Sequence, residues 1–161
     1  MLHIGDSVAM SGQYQITATD RNGKIRGFWC VRNQLTKINI DIRTDMLQGV
    51  ATGYAWDDLA IRYFAFGDGT APAAMSDTRL ANERFRKPIT QMQKPNDTTI
   101  QSIVNLLTEE ANFNIREIGV FCSSSATADA DTGILLSRVN VNIDKNDSIV
   151  LNVIRQDVIR I

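Results

Sequence analysis

Apolar and polar residues alternate along most of the chain, a period of two that predicts strands. Gln13-Tyr14-Gln15-Ile16-Thr17-Ala18-Thr19 alternates and is rich in β-formers. Lys24 to Val31 carries Ile25, Phe28 and Trp29. Between them, Asp20-Arg21-Asn22-Gly23 offers an Asn-Gly turn with positive φ angles, so residues 13–31 predict a hairpin. A two-stranded hairpin is marginal alone and must pack on the rest of the domain or on a neighbouring subunit. Ala60 to Phe66 predicts a central strand, stopped by Gly67 and Gly69, with a loop running on to Met75. Ile89 to Gln93 predicts a short strand before a turn at Pro95-Asn96-Asp97. Asn114–Cys122, Ile134–Ile143 and Ser148–Ile161 predict three more strands. The loop from Ser123 to Asp131 is small and polar, expected to be exposed and mobile, and Lys145-Asn146-Asp147 is a turn.

Two segments carry both periods. Leu35, Ile38, Ile42 and Met46 form a helical stripe, with Asn33 as N-cap and Gly49 as stop. Ile38, Ile40 and Ile42 also alternate as a strand would; the longer helical stripe, with Lys37, Asp41 and Arg43 on an exposed face, favours a helix over 33–48. Over Thr98–Leu107 periodicity does not choose, and the β-branched content tilts toward a strand. Ser76 or Asp77 is expected to cap one or two helical turns through about Phe85. The pattern as a whole predicts a mainly β (α+β) fold: an antiparallel sheet or sandwich with an N-terminal hairpin and one or two short helices. Residues 1–31 read as an N-terminal segment and hairpin, and residues 32–161 as the main domain.

With 161 residues and 43% hydrophobic content, the chain suits one globular domain, or one domain with a small N-terminal appendage. A formal net charge of -1 gives no pull toward nucleic acid or an anionic membrane. No apolar run approaches a bilayer-spanning length, and the first residues lack the basic and apolar regions of a signal peptide. Cys30 and Cys122 lack metal or redox spacing and sit in apolar stretches, so buried free thiols are expected.

Catalytic chemistry finds little support. Gly67-Asp68-Gly69-Thr70 lacks the Gly-Lys-Ser/Thr end of a phosphate loop and the alternating carboxylates of an EF-hand, so a strand-ending turn with glycines in strained angles is expected. Asp129 and Asp131 have no third ligand nearby, and no cofactor or metal is expected. The one histidine, His3, is near the terminus, a poor place for a preorganised base. Glu109 and Glu110 are adjacent and would not face each other. Arg116 and Glu117 are different, because they interrupt an apolar strand. A charge forced inward needs a partner, and Glu117 is expected to pair with Arg84 or Arg86.

The order of several short segments is more informative than any one of them. An apolar strand ends in Gly67-Asp68-Gly69-Thr70; Thr78-Arg79-Leu80-Ala81-Asn82-Glu83-Arg84-Phe85-Arg86 follows; then Arg116-Glu117-Ile118-Gly119-Val120-Phe121, a loop, and Gly133-Ile134-Leu135. Arg32-Asn33-Gln34-Leu35-Thr36 precedes them. The series resembles the tail-collar fibre family of bacteriophages, the attachment domain of tail fibres, over roughly residues 32–161. The resemblance implies a strand at 98–107 and a structural role for Gly67, Asp68, Gly69, Thr70, Leu80, Asn82, Glu83, Arg86, Arg116, Glu117, Ile118, Gly119 and Phe121. In fibres this domain precedes a long shaft. Here the chain stops at Ile161, and a hairpin stands in front, so the resemblance implies the attachment module alone.

The expected function is a non-enzymatic part of a virion's tail, collar, neck or baseplate, made in the host cytoplasm and located in the virion. Its partners would be other virion proteins and copies of itself, a trimer by the resemblance, without nucleic acid or membrane. Tyr14, Phe28 and Trp29 are candidate interface anchors, with core packing as their competing role. The alternatives are a receptor- or glycan-binding module, resting on Tyr54 and Trp56 beside Asp57 and Asp58 and requiring an exposed Trp56, or a head-decoration protein.

Overall fold

The computed structural model describes residues 9–49 and 53–160. Among the described residues, the predicted strands and two that the pattern does not predict, at 34–35 and 83–88, assemble into two five-stranded antiparallel sheets with one α-helix, an α+β fold. The first sheet has the order β2-β1-β10-β7-β6. Its strands are β1 (Ala9–Asp20), β2 (Ile25–Arg32), β6 (Gln91–Asn96), β7 (Thr99–Leu106) and β10 (Ile149–Arg160). The second has the order β3-β9-β8-β4-β5. It is built from β3 (Gln34–Leu35), β4 (Ile61–Gly67), β5 (Glu83–Pro88), β8 (Asn114–Cys122) and β9 (Ile134–Asp144). The helix α1 (Lys37–Gln48) follows β3, and a 3-10 turn, Trp56–Leu59, precedes β4.

The hairpin forms where expected, and its first strand also pairs with β10 along its whole length, Ala9 opposite Arg160 to Asp20 opposite Ile149. At its turn Asp20 Oδ1 accepts the Asn22 and Lys24 amides, and Gly23 alone takes a left-handed φ of 76°. Inward residues of both sheets share one core: Tyr14, Ile16, Val104 and Val153 from the first sheet meet Phe64, Ile118, Val120 and Leu136 from the second. Tyr14 is fully buried, edge-on to Phe64 at 6.3 Å between ring centres, its hydroxyl 3.2 Å from Ser137 Oγ. It is a core residue and not an interface anchor. Trp29 is half-buried against the same core, while Phe28, on the other face of β2, is 62% exposed.

The segment 98–107 is the strand β7. Residues 33–48 divide. Gln34 and Leu35 pair with β9, and the helix begins only at Lys37 and stops at Gly49 with φ 71°. Asn33 is therefore not the N-cap; its backbone amide donates to Gly12 O, and Thr36 stands before the helix with its hydroxyl spent on Leu135 O. The expected helical turns over 76–85 are absent: the segment is turns leading into β5, because the Ala81 and Asn82 amides donate to a side chain, as described below. Pro95 lies inside β6 rather than in a turn, which an edge strand tolerates. Cys122 is buried as expected, but Cys30 is exposed, because it alternates with Trp29 and Val31 on β2. His3 lies outside the described residues.

Candidate functional site

The outer face of the second sheet is covered by two loops, and the residues of the motif series are what fasten them. Glu117 on β8 and Arg138 on β9 are diagonal neighbours, Gly119 being the residue opposite Arg138. Both point away from the main core, and Glu117 has no exposed surface. Its carboxylate is nevertheless saturated. Oε1 accepts the Asn82 amide at 2.7 Å and the Gly69 amide at 3.1 Å. Oε2 accepts the Ala81 amide at 2.9 Å and Arg138 Nε at 2.7 Å. The rest of the guanidinium continues the chain: Arg138 Nη1 donates to Asp77 Oδ2 at 2.8 Å, and Nη2 to Ala71 O at 2.7 Å. Asn140 adds a further pair of bonds, accepting the Ala73 amide at 2.7 Å and donating to Ala71 O at 3.0 Å. A buried ion pair offsets its desolvation only when its remaining hydrogen-bonding capacity is filled, as it is here.

The partner of Glu117 is thus Arg138, and neither Arg84 nor Arg86. Those arginines are engaged elsewhere. Arg84 pairs with Asp68, which also accepts from the Asn82 amide side chain, closing the base of the 67–82 loop. Arg86 makes two parallel bonds to Glu83, at 2.7 and 2.9 Å, with both side chains nearly buried. The Arg86 guanidinium lies 4.2 Å over the Phe121 ring centre and donates to Thr132 O at 2.8 Å. This second clamp holds the loop at 123–133, since Glu83 also accepts the Asp131 amide at 3.3 Å.

Gly67, Gly69 and Gly119 are set by space, not by strained angles, whereas Gly133 takes a left-handed φ of 85°. A side-chain carbon on Gly67 or Gly69 would collide with Glu117 Oε1, and one on Gly119 with Leu80 Cδ1. Leu80 dips into a small second cluster with Ala65, Phe121 and Leu135. Ile118 faces the main core, Arg116 reaches Asp144 Oδ1 at 2.9 Å on the rim, and Thr70 is exposed. Sequence reasoning missed Arg138, Asp77 and Asn140. The signal for Arg138 was available: it interrupts the apolar run Leu135-Leu136-Ser137-Arg138-Val139 as Glu117 interrupts its own strand.

Trp56 is 67% exposed on the 3-10 turn. The acids beside it are occupied. Asp57 pairs with Arg62 at 2.8 Å. Asp58 accepts the Ala55 amide at 2.8 Å and the Ser123 hydroxyl at 2.7 Å, and the Ala55 bond, then the Ser123 bond, hold its carboxyl below the usual range. Glu110 bridges to Lys87 at 2.6 Å and accepts the Leu107 amide. Among the described residues, no group of three or more histidine, cysteine or acidic side chains is arranged to hold a metal ion. Compared with known proteins, the chain matches no family model, no curated protein and no solved structure.

Proposed function

We propose that this chain is a non-enzymatic structural component of a bacteriophage virion, an attachment or adaptor module of the tail, collar, neck or baseplate. The observation that carries the reading is the use made of the motif residues. Glu83, Arg86, Glu117 and Asp68 are each engaged in an ion pair or hydrogen bond that ties a loop or a strand to the second sheet. The likeness to tail-collar fibres therefore rests on residues that build the scaffold, which is where an architectural signature belongs. Its partners are other virion proteins and copies of itself, the likeness favouring a trimer, and it works by protein–protein contact. A phage carrying a stop codon in this gene tests the reading. Electron microscopy should show particles lacking a fibre or tail appendage, and purified protein should restore it. Complete, infectious particles without the protein would refute it.

The exposed ring of Trp56 favours a second reading, a glycan-binding module of the same particle, in which a sugar stacks on the indole. Asp57 and Asp58 are tied to Arg62, Ala55 and Ser123, so the polar half of such a site would have to come from elsewhere. A glycan array in which Trp56→Ala abolishes a binding signal would favour it; a blank array would exclude it.

A further inference from the structure

The outer face of the first sheet carries almost no charge. Strand alternation sends Tyr14, Ile16, Val153, Arg155 and Val104 inward and their neighbours outward. The outward residues line up in cross-strand rows. One row is Gln13, Gln156, Gln101 and Gln93, four glutamines on four successive strands, with Arg32 at its edge. The next is Cys30, Gln15, Ile154, Ile103 and Gln91. The third is Phe28, Thr17, Asn152 and Asn105, whose last two side chains bond each other at 2.7 Å. Arg32 is the one charged residue in these rows. Phe28, Cys30 and Gln93 at its flanks are exposed, and its central residues are half-buried. A solvated sheet face ordinarily carries charges, whereas the centres of protein interfaces are depleted of them.

We propose that this face packs against the same face of a second copy of the chain. Three arguments single out that occupant. First, an uncharged face offers nothing to a partner recognised by charge. Second, glutamine and asparagine amides each carry donors and an acceptor, so a ladder of them satisfies a copy of itself, as a symmetric contact requires. Third, the area is adequate. Five strands about 4.8 Å apart, of about eight residues rising about 3.3 Å each, make a face of about 600 Å². Two copies would bury about 1,200 Å², within the range of stable interfaces. Pairing at the β6 edge is disfavoured, since that strand carries Lys94 and Pro95. The proposal stands apart from the virion reading, because it concerns the isolated chain.

Sedimentation equilibrium of the full chain from about 1 to 200 µM tests it, with Ile154→Lys, at the centre of the face, and Leu47→Lys, an exposed position on α1, as the comparison. A mass of two chains is expected, with Ile154→Lys weakening association by at least about a hundredfold, because a lysine charge would be desolvated there. Leu47→Lys should leave the mass unchanged, and circular dichroism should show both variants folded. Alkylation of Cys30 by iodoacetamide should slow as wild-type protein is concentrated. A wild-type monomer throughout the range, or an oligomer indifferent to Ile154→Lys with Cys30 reactivity independent of concentration, overturns the proposal.

Discussion

Replacing Glu117 with alanine probes the clamp at its centre. The substitution removes the acceptor of four hydrogen bonds, leaving the Gly69, Ala81 and Asn82 amides and Arg138 Nε without it. Each backbone donor left unpaired in a buried setting costs about 1 kcal/mol or more, about 3 kcal/mol for the three. Breaking a buried ion pair costs about 3–5 kcal/mol, and Arg138 keeps Asp77 as a second carboxylate, which places its share at the low end. The two contributions overlap, and a net loss of about 4 kcal/mol follows. For a domain of this size that is about 8–16 °C of melting temperature. Calorimetry gives the shift. Hydrogen exchange locates it, since protection should fall first at Gly69, Ala81 and Asn82. A shift under about 2 °C, or unchanged exchange at those amides, would refute the account of why Glu117 is buried.

Other outcomes follow from the same geometry. Gly119→Ala should cost about 1–3 kcal/mol by crowding Leu80. Adding Leu80→Ala should make the double variant more stable than the sum of the two losses, read from urea unfolding. Arg86→Lys keeps the charge but loses the parallel bonds to Glu83 and the fork to Thr132, so proteolysis within 123–133 should accelerate severalfold while β8 stays protected. Brief alkylation of the native protein at pH 8 should label Cys30 and spare Cys122, whose thiol burial pushes up to about 11 from an ordinary 9.0. Burial also raises the Tyr14 phenol above its ordinary 10.0. Both groups ionise more readily when unfolded. These two groups therefore leave stability unaffected below about pH 9 and lower it as pH climbs toward 11, checked by urea midpoints in Cys122→Ser against wild type.

Alternation made most strands legible, because each has one face in the core. β8 keeps the predicted bounds, and β9 and β10 keep theirs within a residue. The errors come from backbone groups whose partners are distant in sequence. The Ala81 and Asn82 amides look like the start of a helix, yet they donate to a carboxylate on β8. Asn33 looks like a cap, yet its amide pairs with Gly12 in β1. Of the site, the buried charge at Glu117 was readable from its apolar flanks, but its partner was not. Arg84 and Arg86 were nearer the motif, and only strand pairing reveals that Arg138 is adjacent. Gly67 and Gly69 read as glycines of a strand-ending turn with strained angles, and they are required instead for the close approach of Glu117. Tyr14 could not be assigned to core or surface until the hairpin was seen to extend the first sheet through β10.

The most direct test of the central claim is quantitative mass spectrometry of density-gradient-purified phage particles released from cells that carry the gene for this chain. The structural reading predicts the protein in the particle band, in a fixed ratio to the other tail proteins and in a multiple of the copy number of its assembly. Its absence from particles, with the protein left free in the lysate, would contradict the claim.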